Sequence, residues 1–154
     1  MHIEVRRTTP DDLPSILSLQ KIAYQSEAIR YNYFSMQPLT QTLDEIQKEF
    51  STHTFLTALI GDEVVGTVRA VQRGSTCYIG RLAVKPDVQN RGIGRRLMVE
   101  IESLFTDVER FELFTGYKSL KNLHLYDTLG YASFGTKLIT GELSLTLMEK
   151  KRAT

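Results

Sequence analysis

Between positions 89 and 96 the chain reads Gln89-Asn90-Arg91-Gly92-Ile93-Gly94-Arg95-Arg96, a run whose types and spacing suit the grip of a multiply charged anion. The first turn of any helix leaves backbone N–H groups without internal partners, and the helix dipole adds to their pull on negative charge. Glycines at 92 and 94 remove two β-carbons, so a bulky anion can approach the backbone. Arg91, Arg95 and Arg96 bring positive charge to the same point. The predicted chemistry is a diphosphate held at a helix N-terminus. A dinucleotide loop would need a third glycine where Leu97 stands, and a nucleoside-triphosphate loop would need a lysine followed by Ser or Thr. The plainer alternative is a glycine-capped helix with arginines on its solvated face.

A second pair of residues lies further on. Asn122 and Tyr126 are four apart, which puts them on one face of a helix. A phenol can donate a proton to a group poised close to it. Tyr126 is otherwise an amphipathic core residue whose hydroxyl finds any partner.

The elements that must position these groups follow from periodicity and turn chemistry. Thr76 to Val84 is an apolar, β-rich strand, broken by Pro86. Gly80 inside it predicts a bulge or a close backbone approach. Ile93, Leu97, Met98, Ile101, Leu104 and Phe105 recur at helical steps over 92–105. Arg110 to Thr115 is the next strand, and a strand–helix–strand unit should be parallel. Leu120 to Leu129 is a short helix stopped by Gly130.

Upstream, Ile3 and Val5 alternate with polar neighbours as a strand, and Thr9-Pro10-Asp11-Asp12 starts a helix that runs to about Ala23. Tyr24 to Pro38 breaks regular periodicity. Thr42-x-x-Glu45 fits a capping box for a second helix. Strands follow at 54–60, 63–72 and 76–84, with turns at Gly61-Asp62 and Arg73-Gly74-Ser75. A final hairpin turns at Thr140-Gly141, and Lys150-Lys151-Arg152 reads as a frayed, solvated tail. The order is β-α-α-β-β-β-α-β-α-β-β: an α+β layered domain with a mixed, mostly antiparallel sheet and helices on both faces.

The run Leu82-Ala83-Val84, then Pro86-Asp87, then Gln89-x-x-Gly92-x-Gly94 resembles motif A of the GNAT N-acetyltransferase family. Asn122-x-x-x-Tyr126, followed by Leu129-Gly130-Tyr131, resembles motif B of the same family. The resemblance covers almost the whole chain and implies the acyltransferase fold of that family. It implies acetyl-coenzyme A as cosubstrate, with the pyrophosphate on Gln89, Asn90, Arg91, Gly92, Ile93, Gly94, Arg95 and Arg96. It further implies that a backbone N–H among Leu82, Ala83 and Val84 polarises the acyl carbonyl, while neighbouring backbone groups pair with the pantetheine amides. Gly80 would splay this strand from the one at 110–115 and open a slot. Asn122 would help hold the pantetheine or phosphate end, and Tyr126 would be the general acid returning a proton to the leaving thiolate. The segment 24–38 falls where the family has its variable acceptor-binding loop, which points to Glu27, Tyr31 and Tyr33 as acceptor contacts. The alternative is that these aromatics close the core. The strand 76–84 lacks the carboxylate frequent in the family, so no general base is assigned; Glu27, Glu63, Glu112 and His124 are candidates, the alternative being that each is a plain surface or structural residue. The implied reaction moves an acetyl group to a primary amine of a small molecule or peptide by direct attack. The alternative is a non-catalytic acyl-coenzyme A sensor or regulatory module.

Composition sets bounds on these readings. With 154 residues, one domain spanning 1–154 is expected. A net charge of +1 argues against nucleic-acid binding. A lone cysteine, Cys77, excludes an intrachain disulfide and disfavours a Cys-based zinc site, so no metal is expected. Cys77 reads as a buried strand residue. No signal peptide and no membrane-length apolar run stand out, so a cytoplasmic protein without membrane partners is expected. Monomer and homodimer both remain open.

Overall fold

The computed structural model describes residues 2–152. Seven strands, β1 (Glu4–Arg7), β2 (Thr54–Ile60), β3 (Glu63–Arg73), β4 (Thr76–Val84), β5 (Arg110–Gly116), β6 (Ala132–Thr140) and β7 (Leu143–Lys151), form one sheet in the order β1-β2-β3-β4-β5-β7-β6. Every neighbouring pair is antiparallel except β4 and β5, which run parallel. The helices are α1 (Leu13–Ala23), α2 (Gln25–Tyr31), α3 (Gln37–Thr40), α4 (Leu43–Phe50), α5 (Ile93–Ser103) and α6 (Leu120–Thr128).

Two apolar clusters hold helices to opposite faces of the sheet. Ile93, Leu97, Met98 and Ile101 repeat at three and four along α5 and pack with Ala58, Val68, Ile79 and Phe111. Gly66 lets α5 sit close on β3: a β-carbon there would meet Leu97 at 3.0 Å and Ile93 at 3.1 Å. On the other face Leu13 and Ile16 of α1 and Ile46 of α4 pack on Phe55. The capping box that starts α4 is formed in both directions, Glu45 N–H to Thr42 Oγ1 at 3.2 Å and Thr42 N–H to Glu45 Oε1 at 2.8 Å.

The structure departs from the sequence reading near both ends of the chain, and four α-helices, α1 to α4, lie between β1 and β2 where two are predicted. Thr9 does cap a helical turn, but Pro10–Asp12 is 3₁₀ and the α-helix begins at Leu13. The stretch 24–38 contains a helix, α2, hidden because Tyr24 serves both as the end of α1 and the start of α2. Lys150 and Lys151 belong to β7 rather than to a frayed tail. Lys150 Nζ donates to Glu102 Oε1 of α5 at 2.8 Å, and Tyr131 Oη donates to Glu102 Oε2 at 2.8 Å.

Candidate active site

The parallel pair β4–β5 is where the sheet opens. The two strands pair only at Thr76–Arg110, Cys77–Phe111 and Tyr78–Glu112. Beyond Tyr78 they diverge, although both continue, β4 to Val84 and β5 to Gly116. The cause lies on the other side of β4. Across β3, Thr67 pairs with Ala83 but Arg69 pairs with Gly80, so Arg81 and Leu82 together face Val68 in a β-bulge. The left-handed residue is Arg81, at φ 55°, not Gly80. Gly80 contributes differently from the expectation: a β-carbon on it would meet nothing within 4 Å, so it leaves open space.

Hydrogen-bond alternation decides which backbone groups face the opening. The Lys85 amide bonds the Val65 carbonyl at 2.8 Å, so residues 85 and 83 turn to β3 and residues 84 and 82 turn away. Two side chains mark those outward carbonyls. Tyr24 Oη donates to the Leu82 carbonyl at 3.1 Å, and Gln89 Nε2 donates to the Val84 carbonyl at 3.1 Å. By the same alternation the amides of Leu82 and Val84 point away from β3, and that of Ala83 points toward it.

A cavity of about 530 Å³ runs through the opening. Its walls come from Ile79–Leu82 of β4, Leu113–Gly116 of β5, Asn122 and Tyr126 of α6, and Tyr24, Glu27, Tyr31, Tyr33 and Met36 before α3. Leu143 and Leu145 of β7 close one side. Asn122 and Tyr126 thus do share a wall, as their spacing predicted. Asn122 Nδ2 donates to Thr115 Oγ1 at 3.4 Å. The ring of Tyr126 is buried against Tyr131, centroids 6.0 Å apart, and its hydroxyl makes no hydrogen bond to any described residue. Burial, with smaller contributions from Tyr24 and Glu27, pushes the Tyr126 phenol well above its ordinary value, so it stays protonated at neutral pH.

The glycine loop sits at the head of α5. Asn90 at φ 65° and Gly92 at φ 81° are both left-handed, and Gly92 is the residue before the helix. No side chain caps that end. The first intrahelical bond runs from the Arg96 amide to the Gly92 carbonyl at 3.0 Å, so the amides of Ile93, Gly94 and Arg95 precede it. A β-carbon on Gly92 would enter open space; one on Gly94 would touch Leu125 at 3.5 Å and Leu82 at 3.7 Å. Gly94 thus thins the wall between α5, β4 and α6. The arginines divide. Arg95 donates to Thr128 Oγ1 on α6. Arg96 is committed to Glu100 at 2.8 Å and to the Ile3 carbonyl, along the helix rather than at its head.

The acceptor-loop residues also divide. Tyr31 is buried, and its hydroxyl lies 2.8 Å from both Ser119 Oγ and the Lys118 amide, tying α2 to the turn before α6. Glu27 accepts from Ser119 Oγ at 2.9 Å and from Arg30 Nη1 at 3.0 Å, so its charge is already matched. Tyr33 is half-buried and lines the cavity. Among the other acids weighed as a base, Glu63 pairs with Lys85, Glu112 pairs with Arg110, and His124 is exposed.

Several cavity residues carried no separate signal in the sequence. Tyr24 reads as one tyrosine among several, yet its hydroxyl holds the bulge carbonyl. Arg69 reads as one charge in a strand of valines, yet it is buried and lines the cavity. His53 also lines it; burial, outweighing Glu49, lowers its pKa and keeps the imidazole neutral. Cys77 lies in β4 with its thiol pushed up to about 12 by burial and by Glu102, which makes it inert as a nucleophile. Among the described residues no group of His, Cys, Asp or Glu gathers as a metal site would need, and no helix is long and apolar enough to cross a membrane.

A sheet split between two parallel strands, beside a helix with an uncapped glycine head, defines a layered acyltransferase-type domain. The chain belongs to the acetyltransferase (GNAT) family, whose model matches residues 14–131. Among solved structures it is similar to the PaiA N-acetyltransferase of Thermoplasma acidophilum in complex with coenzyme A, at TM-score 0.85 and 18% identity, over 99% of this chain and 100% of that one. It is also similar to a GNAT-family acetyltransferase of Streptococcus pneumoniae, at TM-score 0.79 and 16% identity, over 98% and 100% of the two chains. A third is the spermidine N-acetyltransferase of Vibrio cholerae in complex with coenzyme A and spermine, at TM-score 0.75 and 16% identity, over 97% and 95%. At these identities the likeness establishes the fold and leaves the acceptor open. A search of curated proteins found no match.

Proposed function

We propose that this protein transfers an acetyl group from acetyl-coenzyme A to a primary amine by direct attack within the β4–β5 slot. The observation that carries the reading is the slot itself, with Leu82 of β4 on one wall, its outward carbonyl held by Tyr24, and the phenol of Tyr126 on the other. The residues present fit the cosubstrate. The uncapped amides of Ile93, Gly94 and Arg95, the open space at Gly92 and the left-handed Asn90 suit two phosphates; Gln89 braces that loop against Val84. Arg91 and Arg95 supply charge around it. Asn122 and the outward amides on β4 would hold an extended arm that takes the place β5 vacates.

Acetyl-coenzyme A supplies an acyl carbon activated by a thiolate leaving group. An outward amide of β4, Leu82 or Val84, stabilises the charge that develops on the acyl oxygen, an effect worth ~3–4 kcal/mol for one well-placed donor. Tyr126 gives a proton or a strong hydrogen bond to the departing sulfur. Tyr24 holds the bulge and so fixes the angle at which the Leu82 amide meets the slot. An amine with an ordinary pKa near ~10.4 costs about 4–5 kcal/mol to deprotonate at neutral pH. Water in the open cavity takes that proton, with neutral His53 at its lining.

The test is release of coenzyme A thiol from acetyl-coenzyme A with a panel of primary amines, with the acetylated amine identified by mass. Amine-dependent release that vanishes with coenzyme A as competitor supports the reading. Tight coenzyme A binding with no turnover on any amine overturns it in favour of a sensor.

A further inference from the structure

The charges around the cavity do not balance. Arg69 is buried within it and makes a close set of bonds: Nη1 to Glu49 Oε1 at 2.6 Å, Nη2 to Gln20 Oε1 at 2.6 Å, with its guanidinium 4.4 Å from the Phe55 ring centroid. Even so, its Nε is buried without an acceptor. Arg81, at the bulge, is held only by a neutral group: Nη2 donates to Gln37 Oε1 of α3, while Nη1 is buried without an acceptor. Arg81 forms no ion pair among the described residues. The two guanidinium groups lie near enough to oppose one another's charge, and both act on the single carboxylate of Glu49. His53, neutral, adds nothing to either side. Glu27, the other carboxylate of the cavity, is spent on Arg30 and Ser119. Two converging arginines therefore share one carboxylate.

Buried donors without acceptors call for an explanation in a missing partner. The geometry leaves room for one. Gly80 stands directly across the ladder from Arg69 and next to Arg81, and beyond its Cα there is open space where any other residue would place a side chain. Arg81 also adopts a left-handed backbone that a non-glycine residue holds at a cost, which is the sort of strain that persists where a side chain has a task.

We propose that the acceptor is a small amine that also carries a carboxylate, and that Arg81 receives that carboxylate at the Gly80 opening while Arg69 supplies fixed positive charge behind it. This rests on the reading of the cavity as an acetyl-transfer site. The guanidinium fork matches a carboxylate with two parallel hydrogen bonds, and the carboxylate supplies the second negative charge that Glu49 alone does not. Because Leu82 follows Arg81 at once in the bulge, anchoring the acid end there holds the amine end in the slot. The same charge excess disfavours polyamines and plain alkylamines, which bring only positive charge. Specificity against the acid-free analogue is large when a site is built around a buried polar partner.

The test compares amines in pairs that differ only by the carboxylate: leucine with isoamylamine, phenylalanine with phenethylamine, β-alanine with ethylamine, and spermidine as a cationic reference. Coenzyme A release and product mass are read for wild type, Arg81→Gln and Arg81→Lys. The expected result is at least one pair in which the amino acid exceeds its amine by about 100-fold or more in kcat/KM. Arg81→Gln should collapse that ratio to within about threefold, through KM of the amino acid, and Arg81→Lys should restore part of it. Turnover of amines with no preference for the carboxylate, or a preference that survives Arg81→Gln, overturns the proposal while acetyl transfer stands. No turnover on any amine, with coenzyme A still bound in calorimetry, overturns acetyl transfer and the proposal with it.

Discussion

The hydroxyl of Tyr31 occupies the place where Gly116 would carry a β-carbon. Any side chain at 116 falls inside the contact distance of that oxygen. The pairing matters because Tyr31 joins three segments at once, through Ser119 Oγ, the Lys118 amide and the end of β5. The floor of the cavity is therefore set by a glycine on one element and a phenol on another, 85 positions apart by their numbers.

Gly116→Ala should drive Tyr31 out of this place and destabilise the protein by about 1–3 kcal/mol, the usual cost of overpacking. Gly116→Ala combined with Tyr31→Leu should cost less than the sum of the two single changes, since the phenol oxygen and the ring carbons behind it, at 2.5 and 2.8 Å, are all removed. Urea unfolding of the two single variants and the double variant checks this. Simple additivity would mean that the two residues do not meet as described.

Acid stability should report on the N-terminal turn. Arg6 donates to both Asp12 oxygens, at 2.7 and 3.0 Å, and the Thr9 amide adds a third bond at 2.7 Å. The hydrogen bond from Arg6, working against burial, holds the Asp12 carboxyl below its ordinary value. The unfolded carboxyl binds its proton first, so this stabilisation is present above about pH 4 and is lost as pH falls through the folded value. Asp12→Asn should lower stability near neutrality by about 1.5–3 kcal/mol. It should also flatten the decline of stability below pH 4, measured by denaturant titration across pH. An unchanged slope would place the acid sensitivity elsewhere.

The extent to which the fold was legible follows from where its information is local. Strands 54–60 and 76–84 coincide with their predicted bounds because each is a continuous β-rich run between turn residues. The glycine loop and the Asn122–Tyr126 face were legible for the same reason: spacing alone puts them on one helix end and one helix face. The bulge was legible in its neighbourhood and misplaced in its residue. A glycine in a strand draws the eye, whereas the left-handed residue is Arg81, a conformation its side chain does nothing to announce. The roles of Tyr24 and Arg69 depend on contacts 58 and 20 positions away, and no local pattern encodes such distances. Lys150 read as a solvated tail because its partner, Glu102, sits on a helix 48 positions earlier.

The two loop glycines should separate stability from cofactor binding. Gly92 has φ 81°, so Gly92→Ala carries a left-handed penalty of roughly 1–2 kcal/mol and puts a methyl group in the open space before the helix. Gly94 has no such φ, and its β-carbon would make only ordinary contacts, so Gly94→Ala should leave the melting temperature nearly unchanged or raise it through helix propensity. Both variants should weaken coenzyme A binding by about tenfold or more in calorimetry, Gly92→Ala by crowding the helix head and Gly94→Ala by narrowing the gap between α5, β4 and α6. Gly94→Ala is the more telling of the two, because its loss of affinity cannot be traced to unfolding. Affinity retained in both would remove the pyrophosphate from this helix head.

Tyr126 offers the sharpest test of the chemistry, because its surroundings fix its protonation state before any substrate is present. Burial, with Tyr24 and Glu27 adding to it, raises its pKa above the ordinary phenol value. A group so placed stays protonated, and so a hydrogen-bond donor, at neutral and mildly alkaline pH. Tyr126→Phe keeps the ring that packs on Tyr131 and deletes only the donor. We expect kcat to fall by about 10²–10³-fold, with KM for acetyl-coenzyme A within about twofold. The wild-type rate should show no alkaline decline from this residue below about pH 10, since the raised pKa moves deprotonation upward. An aryl thioester, whose thiolate leaves without a proton, should lose much less on the same substitution. A full-sized kcat for Tyr126→Phe with acetyl-coenzyme A, or an equal loss with the aryl thioester, would remove this phenol from the leaving-group step.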